Sequence, residues 1–368
     1  MKDEMSSLEL EYIVEELKKL SDSRIDKIFS NENKDLFMQV YKAELGKPLI
    51  RVHVPRYAYI ASYKPPFSHP SNFCMRLRKR LKNGIIRGVS KIKNERVIKL
   101  TIEKKDELGI VSRQHMYFEF FLKGNIILTD DADFIVALAE NQIWTERTLK
   151  MKEKYIIPGK RISSLKQSLG KELVKYVAED MGFGGEFAEE VCVLSSIDKA
   201  RSELSEAEMK TLNDVITSMT DHSRNTKGYV YTVGNQKRIY PFRMHTMAGY
   251  QKIEEYPSFN DAVDAVKSSE LESSVKKVMG KGKAKALKKQ ERIIESQKKQ
   301  LEKNDKIIEE STTKGDLIYK NYSEIQEIFD QLKEARKTMD WSEIKEKVKN
   351  RKILDIDEKN GKITLDLD

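Results

Sequence analysis

The spacing of apolar residues divides the chain into stretches of helical and of strand-like period. Leu10, Ile13, Val14, Leu17 and Leu20 recur at helical intervals behind a capping-box signature, Ser6 with Glu9. Short alternating runs follow at Arg24–Phe29, Asp35–Lys42 and Pro48–Val54, ahead of a proline-rich loop, Lys64–Pro70. Phe73, Leu77 and Leu81 then return every four residues, between a helix start at Pro70-Ser71 and a stop at Asn83-Gly84. Val89 and Ile92 approach a strand mouth at Asn94-Glu95-Arg96, and Val97–Glu103, Gln114–Leu122 and Asn125–Thr129 read as strands. Lys123-Gly124 is a hairpin turn between the last two. Strands flanking one or two helices over residues 1–158 predict an α+β domain with a β-sandwich or curled sheet, ending near Pro158-Gly159.

From Ser163 to Asn225 the period turns helical. Leu165, Leu169, Leu173, Val177 and Met181 space one helix, Gly182-Phe183-Gly184-Gly185 follows, and Glu186–Leu194 opens another. This outlines a helix-hairpin-helix over 159–225, in which Gly182, Gly184 and Gly185 would hold a backbone phosphate on turn amides and a helix N-terminus. On those residues alone a glycine-capped junction that only packs is the better reading. Residues 226–268 read as a connector: a β-hairpin of Tyr229–Val233 and Lys237–Tyr240 about Gly234-Asn235, then a helix starting at Ser258-Phe259-Asn260. Over 269–368 the composition shifts to Lys, Glu, Gln and Ala. Leu287, Ile294, Leu301 and Ile308 fall seven apart, but Gln290, Gln297 and Asn304 occupy the matching positions, which makes half a coiled-coil seam. Lys314–Lys337 is predicted helical, Trp341, Ile344 and Val348 follow, and Lys362–Asp368 alternates as a strand. A long helix with half a seam needs a partner strand, so a further C-terminal part is expected beyond this chain.

Charge sharpens this outline. Ser71–Arg96 carries nine Lys or Arg against one acid, and Lys276–Lys306 twelve against four. Each block is worth +8 in a chain of net charge +9, so the remainder sums to −7. Cations concentrated in two blocks point to an anionic partner more firmly than the total does. Within the first block Arg76, Lys79 and Arg80 share a face opposite the apolar stripe, and arginine forks suit phosphate oxygens. The first block therefore reads as a nucleic-acid contact.

Other chemistry is thinly supported. Cys74 and Cys192 sit in apolar patterns and read as buried, reduced thiols, and the five histidines lack metal-ligand spacing. No cofactor is expected: the chain has no G-x-x-x-x-G-K-[ST] loop, and Gly280-Lys281-Gly282 reads as a flexible or kinked helix start. Asp130, Asp131 and Asp133 read as turn formers. No signal segment or membrane span is evident, so a cytoplasmic protein is expected.

The ordered set LELEYIVEELKKL, SRIDKIF, PSNFCMRLRKRLKNGII, NERVIKLTI and YFEFFLKGNIILTD resembles the N-terminal domain of the NFACT family, which includes NEMF and RqcH. GFGGEFAEEVC resembles its helix-hairpin-helix segment. PSFNDAVDAV, the basic helix, KGDLIYKNYSEI and MDWSEI resemble its middle region and the first half of its coiled-coil arm. The resemblance implies an archaeal-type ribosome-associated quality control factor lacking the family's C-terminal part. It would bind the large ribosomal subunit blocked by a stalled peptidyl-tRNA and recruit aminoacyl-tRNA, alanyl-tRNA above all, for tailing without mRNA. Peptide transfer stays with the ribosome, so no enzyme activity is implied. An Asp-Arg pair at a strand start is the family's tRNA-contacting signature, and Glu95 and Arg96 occupy it here. Arg76, Arg78, Lys79, Arg80 and Lys82 match the basic helix, and Lys281, Lys283, Lys285 and Lys288 are the arm's candidates against ribosomal RNA. A homodimer through the arm is a further expectation.

Three other classes compete. The family's N-terminal fold is similar to that of formamidopyrimidine-DNA glycosylases, but Met1-Lys2-Asp3 offers no proline amine nucleophile and two cysteines cannot build their zinc finger. A fibronectin-binding surface adhesin would call for a signal or anchor segment. A coiled-coil scaffold without nucleic acid fits poorly with the half-polar seam and the clustered charge.

Overall fold

The computed structural model describes all residues except 1–3, 33, 68, 93, 94, 106–108, 146, 159–164, 235, 251, 349–351, 358, 359 and 368, and the side chains of 31, 32 and 281–287. Asn94, Gly159, Ser163, Asn235 and the side chains of Lys281, Lys283, Lys285 and Leu287, all named above, lie outside the described residues. The chain forms two compact units, Met1–Lys277 and Val278–Asp368.

The first unit opens with α1 (Ser7–Lys18), where Ser6 and Glu9 make the reciprocal capping box. Leu10, Ile13, Val14 and Leu17 are buried, each contributing roughly 1.5–3 kcal/mol of apolar burial. The strands β1 (Arg24–Glu32), β2 (Asp35–Tyr41), β3 (Leu49–His53) and β4 (Tyr57–Ala61) form a meander. After α2 (Asn72–Leu81) come β5 (Ile85–Lys91), β6 (Val97–Lys105), β7 (Val111–Glu119), β8 (Asn125–Asp130) and β9 (Ile135–Leu138). Together they make one nine-stranded antiparallel sheet in the order β4-β3-β2-β1-β5-β6-β7-β8-β9. The two halves join where β1 and β5 begin, with Arg24 opposite Ile85 and backbone hydrogen bonds between residues 22–25 and 83–86. α1 packs on both β4 and β5, and α2 on both β1 and β9. One helix can touch strands so far apart in the order only if the sheet curls.

Alternation along the strands gives the sheet two faces. Leu100, Ile102, Met116, Phe118, Ile126 and Leu128 enter the main core with α1 and α2. Val97, Tyr117 and Ile127 enter a second cluster under the hairpin of β10 (Gln142–Ile143) and β11 (Thr148–Leu149). There Glu119, 1% exposed, is held by both Arg147 nitrogens at 2.9 and 2.7 Å and by the Tyr155 hydroxyl at 2.9 Å. Such a buried carboxylate is tolerable only because charge and hydrogen-bond donors arrive together. At the Asp130–Asp133 turn, Asp130 accepts from the backbone of Ala132 and Phe134, and Asp133 accepts from the Tyr117 hydroxyl.

The helical segment differs from its periodicity. Leu165 and Leu169 are not helical: Gly170 takes φ +67°, and the backbone of Leu169 and Leu173 donates to Ser202 and Arg201. Helix begins only at α3 (Leu173–Lys175), which passes into a π-helical turn, Tyr176–Asp180. After the glycine turn come α4 (Gly185–Ser195) and α5 (Glu206–Thr220). The predicted hairpin gains a third strand, giving β12 (Gly228–Val233), β13 (Gln236–Tyr240) and β14 (Ile253–Tyr256) in the order β13-β12-β14. Leu173, Val177, Phe187, Tyr231 and Phe259 all enter the same core as the large sheet.

α6 (Phe259–Lys320) is one helix of 62 residues. Gly280-Lys281-Gly282 therefore lies inside a helix and not at its start, because the helix begins some twenty residues earlier on buried Phe259, Ala262, Val263 and Val266. Its first turns cover the β4 edge. The Asn260 amide pairs with Ile60 as a strand neighbour would, accepting from its N–H at 2.7 Å and donating to its carbonyl at 3.2 Å. Asp264 takes the Ser62 N–H at 2.9 Å.

In the second unit, Ile294, Leu301 and Ile308 are more than half exposed. The predicted helix over Lys314–Lys337 breaks at Asn321, whose side chain donates to the Leu317 and Leu367 carbonyls, so α7 (Tyr322–Arg336) starts separately. α8 (Trp341–Val348) and the hairpin of β15 (Ile353–Asp357) with β16 (Lys362–Leu365) close a small core on Leu332, Ile344 and Ile356.

Candidate nucleic-acid interface

α2 is built as its pattern demands. The Ser71 hydroxyl caps it by accepting from the Cys74 N–H, and Phe73, Cys74, Leu77 and Leu81 are buried. Burial pushes the Cys74 thiol up from its ordinary value, so it is an inert core group. Asn83 turns the chain at φ +66° into β5.

The helix's cations divide into two kinds. Arg76, Lys79, Arg80 and Lys82 are exposed and make no ion pair among the described residues. Arg78 is different: it is half-buried, its Nε donates to the Ile28 carbonyl at 2.7 Å, and its guanidinium lies 5.8 Å from the Phe29 ring. It ties α2 to β1. The other described cations of the basic stretch are paired with acids. Arg87 binds Asp22 and Glu103, hydrogen bonds that push it further up, and Lys91 pairs with Glu11 at 3.0 Å.

Arg76, Lys79 and Arg80 line one wall of an open concavity of about 580 Å³. The other walls come from the sheet: Lys104 of β6, Ser112 and Gln114 of β7, Val136 of β9, and Met151. The Lys104 ammonium donates to the Lys79 carbonyl at 3.3 Å, placing positive charge at the C-terminal turn of α2. The strand residues escaped the sequence reading. Alternation did carry a signal for Lys104, which continues the core-facing series Ile98, Leu100, Ile102, but only the β6–β7 register shows which β7 residues stand beside it.

Glu95 and Arg96 lie elsewhere. Lys104 pairs with Ser112 near one end of the β6–β7 ladder and Val97 with Glu119 at the other, seven residues away. At about 3.3 Å per residue the two sites are roughly 23 Å apart along the strand. Arg96 is partly buried and its guanidinium meets Glu4 at 2.6 Å, while its Nε is buried with no hydrogen-bond partner among the described residues. Glu95 is 8% exposed, and its N–H donates to the Ile92 carbonyl.

The glycine turn packs on the start of α1. Gly182 is buried at φ +76° and its carbonyl accepts from the Ser7 N–H at 3.3 Å, while Gly184, at φ +80°, faces Ser6. Gly185 alone of the three is exposed. Next to it on α4, the fully buried Glu190 accepts from the backbone and side chains of His245 and Thr246 at 2.6–2.9 Å, fastening the loop after β13. Lys288 of α6 is exposed. Among the described residues no cluster of His, Cys, Asp or Glu could hold a metal ion, and no helix is long and apolar enough to cross a membrane.

Comparison with known proteins bears on the same elements. Two solved structures share the fold: the N-terminal part of a fibronectin/fibrinogen-binding protein from Streptococcus suis, at TM-score 0.56 and 18% identity over 72% of this chain and 99% of that one, and a fibrinogen-binding protein from Staphylococcus aureus, at 0.55 and 20% over 70% and 97%. An archaeal Rqc2 homologue, aRqcH of Methanocaldococcus jannaschii, is 30% identical over 400 aligned positions, covering 100% of this chain and 58% of its own length. The human ribosome quality control complex subunit NEMF is 22% identical over 94% of this chain and 35% of its own. The chain thus spans little more than half of the archaeal relative it matches throughout. The family model for NFACT N-terminal and middle domains matches residues 6–366. A match that runs unbroken from the cap of α1 to the final strand takes in the curled sheet, the glycine turn and α6 together, and the chain belongs to the NFACT family.

Proposed function

We propose that this protein is a ribosome-associated quality control factor that grips tRNA through the α2 concavity and docks on the large ribosomal subunit. The observation that carries the reading is the exposed, unneutralised set Arg76, Lys79, Arg80 and Lys82, in a stretch whose other described cations, Arg78 included, are engaged by protein. Free cations with no acid to displace release counterions from an RNA backbone at little desolvation cost. The relatives' names, Rqc2 homologue and ribosome quality control complex subunit, support the setting. Glu95 and Arg96 form a second contact about 23 Å along β6, a spacing that a molecule the size of tRNA bridges. In this reading Gly185, with Gly182 and Gly184 shaping its turn, meets a phosphate, and Lys281, Lys283, Lys285 and Lys288 of α6 meet ribosomal RNA. The half seam on α6 takes a second helix, from a further part of the protein or from a second copy. Alanyl-tRNA is the favoured cargo. The protein positions it and the ribosome performs peptide transfer, so its contribution is orientation and not bond making.

The test is a tRNA pull-down from lysate with sequencing, using the wild type and a variant carrying Arg80→Glu and Arg96→Gln. Enrichment of one or two isoacceptors, lost by more than tenfold in a folded variant, is the expected result and names the amino acid. Undiminished tRNA capture by the variant would remove the site assignment.

A further inference from the structure

Gly280 and Gly282 fall inside α6, where the usual reasons for a glycine do not apply. Both are helical, so neither serves a left-handed turn. A Cβ on Gly280 would meet no atom within 4 Å, so close packing does not call for glycine there. What remains is softness: an exposed glycine in a helix interior favours opening about fivefold over alanine. Helices bend at such residues. A spacer that had only to stay exposed and helical would be better served by alanine or glutamate.

The surroundings act in the same direction. Phe259, Ala262, Val263 and Val266 are buried, and Leu271 is the last described residue of α6 to pack on the core. From Lys276 to Gly280 every residue is exposed. The apolar series at sevenfold spacing starts only at Leu287, roughly 24 Å of helix beyond Leu271. Between them the charge is all of one sign. Lys276–Lys289 holds seven lysines and no acid, and Lys277, Lys281, Lys285 and Lys289 follow one another four apart. Like charges at that spacing are neighbours on a helix and destabilise it. Glu272 answers Lys276 at 2.7 Å, and the next acid along the chain is Glu291.

We infer that the stretch from Gly280 to Gly282 is a joint in α6, opened by the glycines and by lysine repulsion, and straightened when a polyanion neutralises those lysines. The anion is an RNA backbone, so the straightening rests on the RNA-binding reading above, whereas the joint itself does not. Phosphates set against the lysines replace repulsion by attraction and release counterions. Part of that gain orders the helix, as when a segment folds on its target. The arm is then compliant in the free protein and rigid once bound.

The experiment measures distances between pairs of nitroxide labels on the whole chain. Ser273→Cys with Ser296→Cys spans the joint, and Gln290→Cys with Thr313→Cys spans an equal length of α6 without a glycine; all four positions are exposed. Cys74 and Cys192 are buried and take no label. A straight helix puts either pair roughly 35 Å apart. At low salt the joint-spanning distribution is expected to be at least about twice as wide as the control and to reach shorter distances. Gly280→Ala with Gly282→Ala makes the open form about twentyfold rarer, which should narrow the distribution to the control width and slow amide exchange across the joint by a similar factor. Salt at about 1 M, where screening acts within about 3 Å, and a saturating RNA duplex should each narrow it as well. A wild-type span as narrow as the control overturns the joint, as does a width that ignores both the alanines and the salt. RNA that binds the chain and leaves the span broad overturns the straightening. Narrowing in salt by a chain that binds no RNA keeps the joint and removes the RNA reading instead.

Discussion

Replacing Arg76, Lys79 and Arg80 together by glutamine separates a phosphate-binding helix from a merely solvated one. If each side chain neutralises one phosphate, its removal lowers the slope of log affinity against log salt by about 0.7–0.9. Three removals lower it by roughly 2–3, which corresponds to about a hundredfold or greater loss of affinity at 0.1 M relative to 1 M salt. The fold should barely notice, because all three side chains are exposed and unpaired among the described residues, and such changes stay within about 0.5 kcal/mol. Arg78 is the internal control, with the same charge on the same helix. Its hydrogen bond to the carbonyl of buried Ile28 means that Arg78→Gln costs about 1.5–3 kcal/mol of stability while lowering the salt slope by less than one. The assay is fluorescence anisotropy with labelled tRNA across a salt series, beside thermal denaturation of both variants. An unchanged slope in the triple variant refutes the reasoning, as does an equal loss in an Arg78 variant of undiminished stability.

Further outcomes follow from the buried contacts. Asn260→Leu removes both hydrogen bonds to Ile60, so it should cost about 1–3 kcal/mol and raise amide exchange in β4 and at the start of α6; unchanged exchange there argues against the edge-covering role. Burial pushes the Asp35 carboxyl up, but the His53 ring 3.5 Å away and the two hydrogen bonds from Arg51 outweigh it and hold the group below its ordinary value. With the native value below the unfolded one, near 3.9, this stabilisation is complete above the unfolded value and fades as pH falls through the native one. Asp35→Asn, which leaves Arg51 buried without its carboxylate, should lose about 3–5 kcal/mol at pH 7 and show a flatter melting curve against pH below about 4. Glu190→Ala strands the donors of His245 and Thr246 and should release the loop after β13, seen as faster exchange at Thr246 and a loss of at least about 1.5–3 kcal/mol; protection like that of the wild type would discount the tie.

Local chemistry made some elements readable in advance. α1 was legible because a capping box and an apolar stripe coincide, α2 because Ser71, Asn83 and Gly84 bracket a stripe of one turn's period, and the β7–β8 hairpin because Gly124 stands at its turn with φ +63°. Each of these signals is made by residues a few positions apart. β4, β14 and β15 were missed: each is four or five residues long, too short for a period to assert itself, and each is held in place by a partner strand. The reading of Leu165–Met181 as one helix erred for a related reason. Helical spacing was present, but backbone bonding to Ser202 and Arg201 outbid it where Gly170 breaks the turn.

The candidate site divides in the same way. The sequence by itself determined that cations cluster opposite an apolar stripe on α2, since charge and period are local properties. Tertiary structure decided which of them face solvent: Arg78 and Arg96 carry the same charge as Arg76 and Arg80, yet one is drawn to the Ile28 carbonyl and the other to Glu4. It also decided that Lys104, Ser112 and Gln114 stand beside the helix and that Arg96 stands at the far end of the ladder. The physical reason is that strand register and sheet curl depend on the sum of many distant contacts, and a one-residue slip would have turned Lys104 and Gln114 to the opposite face.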